Sequence, residues 1–184
     1  MRTVIGSAYL VAGAVLGLST AIWAVDRFGS AAASADGVWR KWDFVGRNSN
    51  NPYSLAHYLI SGRMPPAAGQ MREFTAVRSS DGALLSAACV YDLYADPAPD
   101  SWWSMAAYSE GPAGAEAHGL ITSDTTINEN DGSVRVTFAP QPFGGNWARA
   151  PKTGYFYILF TISEASPSGA AVTEPLFRIE RTGC

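Results

Sequence analysis

The stretch Phe143–Ile162, FGGNWARAPKTGYFYILFTI, decides how the rest of the chain is read. It joins a Gly144-Gly145 turn, the pair Asn146-Trp147, Pro151 and a Thr153-Gly154 turn to eight residues, Tyr155–Ile162, that are apolar except for Thr161. A run this short, built from aromatic and β-branched residues, predicts a strand with both faces covered, at the middle of a core. Outward from it, short period-two segments alternate with turn chemistry. Phe74–Arg78 and Ser86–Tyr94 flank Ser79-Ser80-Asp81-Gly82 and read as a hairpin. Trp102–Ser109 is a further strand. Thr125–Asn128 and Val134–Ala139 flank NENDGS, with Val134, Val136 and Phe138 alternating with Arg135 and Thr137 as in a half-buried antiparallel strand. Leu176–Arg181 alternates again. One short helix is expected: Asn51 caps it, Pro52 suits its first turn, and Leu55, Tyr58, Leu59 and Ile60 form its apolar side. Ser61-Gly62 stops it ahead of Pro65-Pro66. The pattern predicts an all-β domain, an antiparallel β-sandwich of jelly-roll type with one short helix.

At 184 residues and 47% hydrophobic content the chain has room for one packed domain plus a tail. Its formal net charge is -3, with no block of like charge. Nucleic acid is excluded as a partner, because phosphate binding needs a clustered basic footprint.

The tail is apolar. Thr3–Val25 runs for 23 residues without a charge, between Arg2 and Asp26-Arg27. A membrane-spanning helix needs about 20 apolar residues, whereas the apolar region of a cleaved signal is about 7–15 long. A retained single-pass anchor over residues 1–27 is expected; the rival is cleavage after Ala33-Ser34-Ala35, a small-x-small triplet. Residues 28–37, FGSAAASADG, read as a flexible linker, and 38–184 as the folded domain. Orientation is contested. Arg27, Arg40 and Lys41 outnumber Arg2, which opposes an outward domain. The two cysteines, Cys89 and Cys184, favour an oxidising compartment in which a disulfide ties the chain end into the fold. The other reading is two buried free thiols. The cysteines outweigh the charge count, so the domain is expected in the periplasm, on the outer side of a bacterial inner membrane. Gly13, Gly17 and Ala21 recur at the spacing that lets a second helix approach closely in lipid. Trp39 and Trp42 bracket Arg40-Lys41, a mixture suited to lipid headgroups; the alternative is that both rings pack on the domain.

Taken in order, GVWxxW, NPYSLA, FTAVRSSDGxxLxxxCxY, WWSMxxY, NxxDGSVRV and GNWxxAPxxxFYILFTI resemble the bacterial domain-of-unknown-function family 1214 across Gly37–Cys184. The most specific piece is Gly145-Asn146-Trp147 with Pro151 and the following strand. The resemblance implies an all-β, jelly-roll-like domain, exported behind an N-terminal hydrophobic segment in some members, with no agreed biochemical activity.

Catalytic chemistry has little to draw on. His57 and His118 are the only histidines and form no metal-ligating pair, so neither a metal nor another cofactor is expected. No GxSxG, P-loop or GxGxxG occurs. The carboxylates Asp81, Asp92, Glu129 and Asp131 are available for glycoside chemistry, but most fall in turns where they serve their own backbone. Trp102, Trp103, Asn146, Trp147 and Tyr155 make an aromatic and amide set that suits a groove for a sugar or peptide, or else packs as core and turn. The expected function is a non-catalytic, membrane-anchored periplasmic interaction domain, an accessory subunit of an inner-membrane complex, touching partner subunits and the bilayer. The alternatives are a saccharide or small-ligand module and, third, an envelope enzyme using His57 or His118 with a carboxylate.

Overall fold

The apolar run after Gly154 forms a strand that is central to the larger of two sheets. The computed structural model describes residues 2–29, 33–42, 52–61, 64, 70–111, 114–163 and 176–184. They form α1 (Arg2–Gly29), β1 (Ala33–Asp36), β2 (Trp39–Trp42), α2 (Pro52–Ser61), β3 (Met71–Ala76), β4 (Val90–Ala95), β5 (Trp103–Gly111), β6 (Gly114–Thr122), β7 (Val134–Ala139), β8 (Trp147–Arg149), β9 (Tyr157–Ser163) and β10 (Arg178–Gly183). The larger sheet has the order β1-β2-β3-β9-β5-β6 and the smaller β10-β4-β7-β8. The protein is thus mostly β, with few helices. Every pair in the larger sheet is antiparallel, and Phe160 of β9 stands opposite both Phe74 of β3 and Met105 of β5.

One apolar cluster draws on both sheets. Trp39, Phe74, Trp103, Met105, Ile158 and Phe160 come from the larger; Tyr91, Leu93, Val134, Val136, Phe138 and Ile179 come from the smaller. Alternation sorts them: along β9 Ile158, Phe160 and Ile162 are buried while Tyr157, Leu159 and Thr161 are half-buried. Of the two faces expected to be covered, one is buried and the other only half-buried. The sheet has a core side and a partly open side, the usual consequence of antiparallel pairing with cover on one face.

Both Asp-Gly turns use the same device. Gly82 N–H bonds to Ser79 O and Ser79 N–H to Ala83 O; Gly132 N–H bonds to Glu129 O and Glu129 N–H to Ser133 O. In each the glycine has positive φ, 85° and 84°, as a type I turn followed by a left-handed residue requires. The aspartates brace the turns. Asp81 accepts hydrogen bonds from the Ser79 hydroxyl and Ala83 N–H, and Asp131 from the Ser133 hydroxyl and N–H. The first turn nonetheless does not close the hairpin expected of it. After a single bridge, Arg78 to Leu84, the chain crosses to the other sheet, so that β3 and β4 lie in different sheets. Thr125–Asn128 likewise is not a strand: Ser123–Thr125 is a 3-10 turn.

The serine hydroxyls, foremost, and the backbone amides hold both carboxyls below the ordinary value of 3.8. Because the folded value is depressed, the stabilisation is complete above 3.8 and is lost as pH falls below it. Acid titration of the melting temperature should show a decline there that is shallower in Asp81→Asn and Asp131→Asn. Equal slopes in all three proteins would contradict this account.

Other expectations are also revised. β7 and β8 run parallel, Phe138 opposite Ala148, so the smaller sheet is mixed. Part of the presumed linker, Ala33–Asp36, is β1, turned back on β2 at Gly37. On α2 Tyr58 is buried while Leu55 and Leu59 are exposed, Leu59 by 72%. α2 lies beside α1, and the Tyr58 hydroxyl donates to Glu73 on β3 at 3.2 Å. Trp39, expected at a membrane surface, is a core residue whose indole N–H donates to Phe177 O at 2.6 Å. The Trp42 and Ile60 side chains and Asn51 lie outside the described residues. Cys89 and Cys184 form a disulfide. Among the described residues no helix is long and apolar enough to cross a membrane.

Candidate functional site

The outward face of the smaller sheet carries a groove of about 370 Å³. β4 and β7 supply its floor, because the alternation that sends Leu93, Val136 and Phe138 into the core sends Asp92, Arg135 and Thr137 the other way. Thr137 donates its hydroxyl to Asp92 at 2.7 Å, and the Arg135 guanidinium stands 3.4 Å from the second carboxylate oxygen. The floor is thus polar and internally paired.

Asn146 fixes the wall. Its amide nitrogen donates to Ile127 O at 2.8 Å and Arg135 O at 2.9 Å, and its side-chain oxygen accepts from Ile127 N–H at 2.8 Å. Both donors are used on the backbone, so Asn146 clamps the 127 loop to β7 and has only a remaining lone pair to offer a guest. Ile127 and Phe143 rise at the rim, 80% and 57% exposed. An apolar rim over a polar floor suits a partly apolar ligand with hydroxyl or amide groups. Of the carboxylates singled out in the sequence, Asp92 and Glu129 line the groove, whereas Asp81 and Asp131 serve their turns.

The other four residues of the aromatic set do not line it. Trp103 is buried, its ring 5.2 Å from Phe177 and 6.4 Å from Phe160. Trp102 is 39% exposed and donates its indole N–H to Asp124 at 2.8 Å. Trp147 is half-buried, donates to Ala139 O at 3.2 Å and lies under the Arg149 guanidinium. Tyr155 is 67% exposed, beyond the start of β9. The floor residues were legible in the period-two pattern around Val136; that a Gly-Gly loop would wall them in was not. Among the described residues no group of three His, Cys, Asp or Glu is placed to hold a metal. Among the described residues His118 hydrogen-bonds Ser109 and no carboxylate, and the His57 side chain lies outside the described residues.

The order of these pieces matches a family model described as "Protein of unknown function (DUF1214)" over residues 70–167, more than half of the chain. The chain belongs to the DUF1214 family. The match covers β3 to β9 and so includes the whole groove and its Asn146 clamp. Among solved structures this DUF1214 chain is similar to the VPA0106 protein from Vibrio parahaemolyticus, at 15% identity and a TM-score of 0.57, over 92% of this chain and 43% of that one. It is also similar to an uncharacterized protein from Burkholderia cenocepacia, at 17% identity and a TM-score of 0.49, over 61% of this chain and 29% of that one. The chain thus spans less than half the length of either. The likeness to VPA0106 concerns fold alone. No curated protein matches the chain.

Proposed function

We propose that this DUF1214 protein is a non-catalytic domain anchored by α1 in a bacterial inner membrane, with its β domain in the periplasm, serving as an accessory subunit of a membrane complex. The observation that carries the reading is the surface of α1. Tyr9, Leu10, Val11, Val15, Leu16, Leu18, Ile22 and Trp23 are all exposed on a helix of 28 residues. Such a helix is about 42 Å long, against a hydrocarbon thickness of about 30 Å. The described side chains alone make too short an apolar run for a span; the uncharged stretch Thr3–Val25 continues past them at both ends. The disulfide supports the outer side, where thiols oxidise. A Cβ at Gly13 or Gly17 would meet nothing within 4 Å, and Ala21 is exposed on the same spacing, which leaves room for a partner helix. The single core drawn from both sheets supports reading them as the two layers of a jelly-roll-like sandwich.

The test combines topology and assembly. Alkaline phosphatase fused after Cys184 should be active in cells, and the full-length protein should leave the membrane in mild detergent together with other subunits, a complex that Gly17→Leu weakens. An inactive fusion, or a solitary monomer indifferent to Gly17→Leu, would remove the proposal. The groove at Asn146 favours a second reading, a module for an envelope saccharide or similar small ligand. Oligosaccharide titration should then show saturable binding weakened by Phe143→Ala, and no binding would end that reading.

A further inference from the structure

A second concavity, of about 330 Å³, shares no residue with the groove; Ser109, Glu116, His118, Arg149, Lys152 and Thr153 line it. Its construction is specific. On the β5–β6 ladder Ala107 stands opposite Gly119 and Tyr108 opposite Ala117, which leaves His118 as the extra residue of a bulge. A bulge re-aims a side chain out of an otherwise regular ladder. Here the imidazole meets Ser109, Nε2 lying 2.6 Å from the hydroxyl oxygen. The next residue, Gly119, has no side chain for a steric reason: a Cβ there would overlap the backbone nitrogen and carbonyl oxygen of Arg149. Glycine at 119 thus lets the end of β8, from the other sheet, close on β6 and bring Arg149 and Lys152 to the Ser109–His118 pair. The guanidinium carbon of Arg149 lies 5.8 Å from the centre of the Trp147 ring, a cation–π contact that restrains it.

The wall is rich in proton donors. If Ser109 donates to His118 Nε2, the neutral ring keeps its Nδ1–H; if Nε2–H donates to Ser109, the hydroxyl proton is left over. Either way the pair has one donor to spare, in a pocket that Arg149 and Lys152 also line. Among the described residues no carboxylate hydrogen-bonds the imidazole, so the pair lacks the orienting group of an acyl-transfer triad. Recognition is therefore the better use of the arrangement. Among the described lining residues the two permanent cations and the one carboxylate of Glu116 differ by a single positive charge, which a monoanion balances. A second negative charge would stand uncompensated near Glu116. We propose that this pocket binds a small monocarboxylate, taken by the guanidinium fork of Arg149 and by Lys152, with the Ser109–His118 pair closing the remaining side. The proposal is independent of the membrane reading.

Acetate is the probe. The full-length protein in mild detergent, with its histidines labelled with nitrogen-15, is titrated with sodium acetate and, at matched ionic strength, with sodium chloride; His118→Gln assigns the resonances. A saturable shift of the His118 ring nitrogens with acetate alone is expected. Arg149→Gln with Lys152→Gln should weaken it by about tenfold or more, and Ser109→Ala by less. Inorganic phosphate should bind no more tightly than acetate. A response equal to that of chloride, an affinity unchanged in the double glutamine variant, or tighter binding of phosphate would each overturn the proposal. Both glutamine changes fall on exposed side chains. If the double variant nevertheless fails to fold, Lys152→Gln alone is measured, and an unchanged affinity counts against the site.

Discussion

Alanine at position 160 should cost the domain about 3–5 kcal/mol, a large part of the roughly 5–15 kcal/mol that keeps a domain folded. Phe160 is buried at the middle of the larger sheet, and its ring centre lies 5.7 Å from that of Trp39, 5.9 Å from Phe74, 5.5 Å from Phe177 and 6.4 Å from Trp103. Removing it leaves a void bounded by rings on β2, β3 and β5 and by the segment leading into β10. Backbone pairing holds those elements, so they cannot simply collapse into the space. The lost transfer energy and the unfilled cavity therefore add. Urea unfolding followed by tryptophan fluorescence is the appropriate measurement, since Trp39 and Trp103 both face the site. Phe160→Leu, which keeps most of the volume, should lose much less. A loss below about 1 kcal/mol for Phe160→Ala would mean that this ring cluster is not the centre of the core.

Opening the disulfide should have an effect of similar size. Cys89 and Cys184 are 95 residues apart in sequence, and closing a loop of that length restricts the unfolded chain by about 4–5 kcal/mol in the chain-entropy model. Cys184→Ser should approach that loss, and reduction of the native protein should reproduce it. The double variant Cys89→Ser with Cys184→Ser separates cross-link from side chain: it should match the reduced protein and be insensitive to reductant. The effect has a location as well as a magnitude. Among the described residues β10 is an edge strand paired only with β4. Phe177 and Ile179 keep its start in the core, whereas Glu180 to Cys184 are exposed. Reduction should therefore accelerate hydrogen exchange first at the end of β10. No change in stability would count against the effect on the unfolded chain, and uniform acceleration across β9 and β10 would count against a local release of that strand.

Reading the chain residue by residue succeeds where neighbours decide the conformation. Asp81-Gly82 and Asp131-Gly132 turn where their chemistry says, because a left-handed glycine and an aspartate serving nearby amides need no distant partner. Most of the eight-residue run before Ser163, from Tyr157 onward, is central to a sheet, because an apolar strand finds most cover there. The floor of the groove is legible in the same way, since period-two alternation assigns Asp92, Arg135 and Thr137 to the face away from the core. Trp102 and Trp103 show the limit. Adjacent in sequence and alike in chemistry, one caps Asp124 at the surface and the other fills the core.

Family membership, the turns, the segments that form β3, β5, β7, β9 and β10, and the start of the short helix at Pro52 belong to the sequence by itself, because each depends on dihedral preferences and periodicity over a few residues. Only the tertiary structure decides that β3 and β4 part company after a good turn, that β8 joins β7 in parallel, and that Trp39 leaves the surface for the core. It alone brings Gly119 against Arg149, so that His118 and two cations share a pocket. These outcomes are set by which faces meet across tens of residues of intervening chain, and hydropathy carries no record of the partner a face will find.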